Sequence, residues 1–186
     1  MADEDINAAA ARRNYRASAI LLDGSTIFIR AIGPDDRERL LAHFGALSPQ
    51  SVMFRFHGAK RSLHEDELAR LTNLDFATHV GLVATFNEER QAPLIGVARY
   101  IRSGEEHPSR AEVGFAVRDQ YQGKGIGSTL LHHLALVGAA AGIKEFQADV
   151  MVNNSQMIEV LEHSGFKLKH TSEGGVNHML LTIDGD

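Results

Sequence analysis

The sequence contains no cysteine among its 186 residues. Disulfides, zinc thiolate sites and thiol nucleophiles are therefore excluded together. No apolar run reaches the roughly 20 residues needed to cross a bilayer. The N-terminus starts with acids, continues with alanines and only then reaches arginines, which is the reverse of a secretory signal. These absences predict a cytoplasmic protein that does not enter a membrane.

An excess of positive charge is also missing. The net charge is -5, which argues against a nucleic-acid partner, because such proteins neutralise phosphates with a basic face. One small basic site for a phosphorylated cofactor remains possible. The ten histidines include the adjacent pair His132 and His133, but none has a spacing such as HExxH. We therefore expect no metal.

The length and composition favour one globular domain. A chain of 186 residues with 44% hydrophobic residues can bury a single core. Residues 1–17 are polar and alanine-rich without a core pattern, so they are interpreted as a flexible N-terminal leader with at most a little helix. Residues 18–186 are predicted to form the domain.

The order of predicted elements indicates the fold class. Two short strands flank the turn signal Asp23-Gly24. Helices are predicted to begin at Pro34, Ser48 and Ser62, the last with Glu65 as a capping box. The first of them has a predicted buried stripe of Leu40, Leu41 and Phe44. The rest of the chain alternates less regularly: strands over 78–87, 93–102 and 111–118, a helix, a strand, a helix and two strands. This order predicts a mixed α/β sheet, not a doubly wound fold.

The most informative segment is a glycine loop between a predicted strand and a predicted helix. Free backbone amides and the positive end of the helix dipole make such a position an anion site. Glycine lets the backbone approach phosphate oxygens and adopt positive φ. The side chains of Gln122 and Lys124 offer further donors. The loop consists of Gln122, Gly123, Lys124, Gly125, Ile126, Gly127 and Ser128.

Three interpretations compete for this loop. A P-loop requires GxxxxGK[ST], and the Gly-Lys-Ser/Thr element is absent. A dinucleotide fingerprint requires GxGxxG early in a βαβ unit, whereas the spacing here is GxGxG deep in the chain. The third interpretation is a glycine-rich turn that serves packing alone.

Two motifs together resemble the GCN5-related N-acetyltransferase (GNAT) family. The first is Gln122-x-x-Gly125-x-Gly127 after the strand AEVGFAVR, and the second runs from Asn154 to Gly165-Phe166. The resemblance covers residues 20–183. It implies an acyl-CoA N-acyltransferase fold with a mostly antiparallel central sheet, flanked by helices and splayed at the cofactor site.

The resemblance also implies acetyl-CoA as the acyl donor. In such a site the backbone of Phe115, Ala116 and Val117 would hydrogen-bond the pantetheine arm. Amides from Gln122 to Ser128 would hold the pyrophosphate. Asn154, at the start of the following helix, would also reach the cofactor.

Amine attack on a thioester requires a base, because an alkylammonium ion cannot attack at neutral pH. Glu112 lies on the strand that leads to the loop, where similar acetyltransferases place a glutamate base. The alternative is a surface acid, or one that pairs with Arg99 or Arg110. Many family members have a tyrosine as general acid at the position where Leu161 stands here. Water, another residue or unassisted departure of the thiolate remain as alternatives.

Residues 47–84 resemble the acetyltransferase domain of bacterial protein lysine acetyltransferases that modify acyl-CoA synthetases. The resemblance implies a protein lysine as acceptor, for example on an acyl-CoA synthetase, and a monomer or homodimer. A small amine as acceptor and a non-catalytic acyl-CoA sensor are the alternatives. His79 is a candidate near the acceptor. Arg55 is either an exposed residue between core aromatics or part of an acceptor-side wall.

Overall fold

The computed structural model describes residues 2–183, with side chains from residue 7 onward. Met1 and residues 184–186, which the predicted leader and domain include, lie outside the described residues. The helices are α1 (Ala2–Arg13), α2 (Arg37–Gly45), α3 (Pro49–Phe56), α4 (Glu65–Thr72), α5 (Ile126–Ala139) and α6 (Ser155–Glu162). The strands are β1 (Arg16–Ile20), β2 (Thr26–Ala31), β3 (His79–Thr85), β4 (Gly96–Arg102), β5 (Arg110–Val117), β6 (Glu145–Met151), β7 (Lys167–Glu173) and β8 (Val176–Thr182).

The eight strands form one sheet in the order β1-β2-β3-β4-β5-β6-β8-β7. Every neighbouring pair is antiparallel except β5 and β6, which run parallel. The predicted mixed α/β fold with a mostly antiparallel sheet is thereby confirmed. No helix within residues 2–183 is long and apolar enough to cross a membrane.

Helices cover both faces of the sheet. On one face α5 contributes Leu130, Leu131 and Leu134, each at most 1% exposed. A Cβ added at Gly96 of β4 would lie 2.9 Å from Cδ1 of Leu130, so this glycine allows close approach of α5. On the other face α2, α3 and α4 pack over the middle of β4 and β5 around a small cavity of about 40 Å³.

Local signals located most elements but missed some details. Leu41 was predicted to be buried beside Leu40 and Phe44, but it is 43% exposed, because α2 presents a narrower apolar stripe to the sheet. Helix α4 begins at Glu65, three residues after the predicted start at Ser62. Its cap is formed further along, where the His64 amide donates to Oε2 of Glu67 at 3.2 Å.

The N-terminal segment is more ordered than its composition suggested. Residues 2–13 form α1, and β1 already begins at Arg16, where a flexible leader was expected. Arg12 donates from Nε to the carbonyl of Phe76 at 2.6 Å, and the hydroxyl of Tyr15 lies 2.6 Å from Nδ1 of His133. These contacts reach partners far along the chain, which a local sequence pattern cannot reveal.

The sheet divides at β5 and β6. Only three residue pairs join these strands, from Arg110 with Glu145 to Glu112 with Gln147. Beyond that point β5 continues to Val117 and β6 to Met151, but the two strands separate. The splayed sheet is therefore present, and the gap opens just after Glu112.

Candidate active site

A cleft of about 570 Å³ occupies the gap between β5 and β6. Its walls come from both strands, the glycine loop, α3 and α6, and Leu22 from the turn between β1 and β2 also borders it. The cleft brings together most residues that the sequence singled out: Glu112, Phe115, Ala116, Val117, Gln122, Gly123, Gly125, Ile126, Gly127, Ser128 and Asn154. Lys124 and His79 do not line it.

The glycine loop is shaped by two left-handed residues. Gly123 has φ of +74° and Gly125 has φ of +87°, a region that side chains other than glycine rarely adopt. The first helical bond of α5 runs from the Thr129 amide to the Gly125 carbonyl at 2.9 Å. The three preceding amides, of Ile126, Gly127 and Ser128, therefore have no intrahelical acceptor. Together with the helix dipole they form a site suited to an anion at the cleft wall.

Lys124 is engaged outside the cleft. Its Nζ lies 3.2 Å from Oδ2 of Asp23, in the turn between β1 and β2. Hydrogen bonds from Ser25 and then from Lys124 lower the pKa of Asp23 to about 2. The only lysine of the loop is thus paired with a carboxylate that stays ionised at neutral pH.

The side chain of Gln122 fixes the loop to its surroundings. Its Nε2 donates to the Val117 carbonyl at 2.9 Å and to Oγ of Ser51 at 3.2 Å. Asp119 supports the same junction, since its carboxylate accepts from the amide and the hydroxyl of Ser48 at 2.9 and 2.6 Å. Burial alone would raise the pKa of Asp119, but these hydrogen bonds outweigh it and hold the pKa below its usual value. The N-terminus of α3 is thereby anchored to the glycine loop.

The register of β4 and β5 decides which backbone groups of β5 face the gap. The Arg118 amide donates to the Ile95 carbonyl at 3.0 Å. The next pair along the strands, Val117 with Gly96, is therefore a non-hydrogen-bonded pair. By alternation the backbone groups of Phe115 and Val117 point to the gap, whereas those of Ala116 belong to the ladder with Val97. Because Gln122 occupies the Val117 carbonyl, the Val117 amide and both polar groups of Phe115 remain directed at the cleft. Ala116 borders the cleft without presenting backbone groups to it.

Glu112 stands exposed at the fork between the two strands. The ion pairs that could have engaged it are made elsewhere, because Arg110 binds Glu145 at 2.8 Å and Arg99 contacts His79. A carboxylate that is exposed, borders the cleft and lies beside the free backbone of β5 is well placed to accept a proton from a bound amine.

Helix α3 forms part of the cleft wall, and Arg55 borders the cleft and is only partly exposed. The guanidinium of Arg55 rests on Gly114, where an added Cβ would lie 2.8 Å from its Cζ. His57 follows α3 in a left-handed conformation with φ of 52°, and its Nε2 donates to the Asp149 carbonyl at 3.0 Å. Asp149 lies on β6, so His57 bridges the gap at the end away from the glycine loop.

The sequence also singled out Asn154, Leu161 and His79, and the structure places each in a distinct environment. The Oδ1 atom of Asn154 accepts from the Met157 amide at 3.2 Å and caps α6, so its side chain serves the helix. Leu161 is fully buried, and α6 turns Glu159, Val160 and His163 towards the cleft instead. His79 lies two strands from Glu112, with its Nε2 3.4 Å from Nη1 of Arg99. Burial and then Arg99 lower the pKa of His79 to about 4, so it is neutral at pH 7.

Comparison with known proteins now identifies the family. A model of the acetyltransferase (GNAT) family matches residues 50–166, more than half of the chain. The chain belongs to the GNAT family. The family is one of acetyltransferases.

Individual GNAT relatives agree with the fold. Acetyltransferase Pat of Mycolicibacterium smegmatis is 32% identical over 142 residues, which cover 76% of this chain and 41% of that protein. The chain thus spans about two fifths of the length of this relative. The GNAT domain of S. lividans PAT is 35% identical with a TM-score of 0.82, covering 90% of this chain and 96% of that domain. The acetyltransferase yncA of Salmonella typhimurium, solved with its cofactor acetyl-CoA, shares the fold at 21% identity and a TM-score of 0.66, covering 86% and 95%.

Proposed function

We propose that this GNAT enzyme transfers the acetyl group of acetyl-CoA to the side-chain amine of a lysine in a protein, with acyl-CoA synthetases as the first acceptors to test. The observation that carries the proposal is the exposed carboxylate of Glu112 at the point where β5 and β6 separate. It stands next to backbone groups that can hold a thioester and is open to an incoming side chain.

The donor site fits an acyl-CoA on three features of this chain. The gap between β5 and β6 gives an extended arm a strand edge to follow, with the Phe115 backbone and the Val117 amide directed at it. The amides of Ile126, Gly127 and Ser128 suit a pyrophosphate. Gly125 allows the close turn that brings them to the cleft. Gln122, Gly123 and Asn154 support the site by shaping it, while Lys124 must leave Asp23 to contact a phosphate.

Glu112 would take the proton from the lysine ammonium, directly or through one water. The free amine attacks the thioester carbonyl that acetyl-CoA supplies, the C–N bond forms, and the C–S bond breaks. The Val117 amide, which faces the gap, would stabilise the negative charge that develops on the carbonyl oxygen. As the C–S bond breaks, the attacking nitrogen loses its second proton, and a water carries a proton to the departing thiolate. The first proton, held by Glu112, returns to solvent. Leu161 has no part in this step, since it is buried in the core.

The protein acceptor is supported by likeness to Pat and to the GNAT domain of S. lividans PAT. A small amine is the second candidate, because the cleft is large and open enough to admit one.

The experiment offers labelled acetyl-CoA to an acyl-CoA synthetase from the same cell, to other proteins of that cell and to a panel of small amines. We expect label on specific lysines, located by mass spectrometry, and at least about a hundredfold slower labelling with Glu112→Gln at neutral pH. Label confined to small amines would reject the protein acceptor. Tight binding of acetyl-CoA without any transfer would indicate a sensor.

A further inference from the structure

Two arginines, Arg55 of α3 and Arg99 of β4, lie side by side over Gly114 of β5. Arg99 is 6% exposed in the middle of β4 and lies directly opposite Gly114 of β5. Directly opposed residues of antiparallel strands point to the same face of the sheet. The guanidinium of Arg55 occupies the space that a side chain at position 114 would fill. Glycine at this position therefore brings Arg55 of α3 beside Arg99.

The charges of this pair are poorly compensated. Among the side chains that the structure describes, no carboxylate forms an ion pair with either arginine, and the polar contact of Arg99 is with neutral His79. Burial and then the charge of Arg55 lower the pKa of Arg99 to about 9. Burial also lowers the pKa of Arg55, which Glu112 partly opposes. Two like charges with little access to water are stabilised by an anion that reaches them.

An anion can reach the pair from the acceptor side. Arg55 borders the cleft. Arg99 does not border it, but both arginines line the small cavity beneath α2 to α4, so Arg99 adds to the positive charge beside Arg55. Glu112 and Gly114 are two residues apart on β5 and face the same way, about 7 Å from each other. A molecule whose amine reaches Glu112 therefore holds its next functional group near Arg55.

We propose that Arg55, backed by Arg99, binds a carboxylate of the acceptor that lies close to the reacting amine. In the protein acceptor proposed above, on which this inference rests, that group is an acidic side chain next to the target lysine. The same chemistry is offered by the α-carboxylate of a free amino acid. Guanidinium and carboxylate match as a bidentate pair, so the site selects acceptors by charge and by distance from the amine.

The test compares peptides with one lysine, in which the neighbouring residue is Glu or Gln, and also compares free lysine with lysinamide. We expect kcat/KM of the wild type to be about tenfold higher for the Glu peptide than for the Gln peptide. With Arg55→Gln the two peptides should become equivalent, and with Arg55→Lys part of the preference should return. The control Arg70→Gln, which removes an exposed arginine of α4, should keep the full preference.

A second variant reports on the same site without removing a charge. In Gly114→Ala the new Cβ displaces the guanidinium, so the preference for Glu should fall as it does in Arg55→Gln. Circular dichroism at matched temperature confirms that each variant is folded.

The outcomes separate the two proposals. Transfer to all peptides with no preference for Glu in the wild type, or an unchanged preference in Arg55→Gln, overturns the carboxylate site alone. A preference for lysine over lysinamide without one between the peptides keeps the site but assigns it to small acceptors. No transfer to any peptide or amine rejects the proposed function and this inference with it.

Discussion

Glu112 and Gln147 form the last residue pair that joins β5 to β6. The strands separate beyond this pair, so the cleft begins where the candidate base stands. The sheet opens here because the parallel strands β5 and β6 are joined by only three residue pairs, whereas their other neighbours are antiparallel. One feature of topology thus positions both the base and the strand edge that would hold a thioester.

The conformation of Gly125 leads to the first prediction. In Gly125→Ala a side chain must adopt φ of +87°, which costs about 1 kcal/mol, and the loop amides shift. We expect KM for acetyl-CoA to rise about tenfold, because the anion site depends on those amides. Gly104→Ala is the matched control, since Gly104 has the same φ of +87° on an exposed loop away from the cleft. Both variants should lose similar stability, and an equal rise in KM for both would contradict the assignment of the loop.

The ion pair of Lys124 with Asp23 gives the second prediction. Asp23→Asn keeps a side chain that can bond Ser25, but it removes a negative charge beside the anion site and releases Lys124. We expect KM for acetyl-CoA to fall about two- to fivefold at low salt, and the difference to shrink as salt is added. Asp35→Asn breaks an exposed ion pair with Arg90 elsewhere and should have no such effect. An unchanged or higher KM in Asp23→Asn would show that Lys124 does not serve the donor.

His43 provides a prediction of pH-dependent stability. It is 2% exposed, lies 3.0 Å from the Leu94 carbonyl through Nδ1, and has its pKa lowered to about 4, mainly by burial. Between about pH 6.5 and 4 the unfolded chain binds a proton at this residue that the folded chain does not. The free energy of unfolding therefore falls as the pH drops through this window and is unaffected by His43 above it. The contribution is on the order of 3 kcal/mol.

Denaturant titrations across this pH range test the point. His43→Gln should make the acid loss of stability shallower, whereas His170→Gln, at an exposed position of β7, should leave its slope as in the wild type. Equal slopes for His43→Gln and the wild type would remove His43 as a cause. His79 acts in the same direction, since its pKa is also lowered to about 4, so some slope should persist.

The sequence predicted those parts of the molecule that depend on local signals. The glycine loop, the strand before it and the start of α3 at Ser48 involve residues close together in the chain. The contact of Arg55 with Gly114 joins positions 59 apart, and no pattern around either residue indicates it. The same limit applies to the contact of His79 with Arg99, which joins positions 20 apart. It also explains α1, whose side-chain contacts are with the segment around Phe76.

The pH dependence of acetyl transfer by Glu112→Gln tests the central claim most directly. With acetyl-CoA and a lysine acceptor, kcat at neutral pH should fall about 10²- to 10⁴-fold, and the residual rate should rise with pH as the free amine becomes available in solution. Binding of acetyl-CoA should stay as in the wild type, and Glu105→Gln on an exposed loop should retain full activity. A kcat for Glu112→Gln within about twofold of the wild type at neutral and high pH alike would contradict a base at this position.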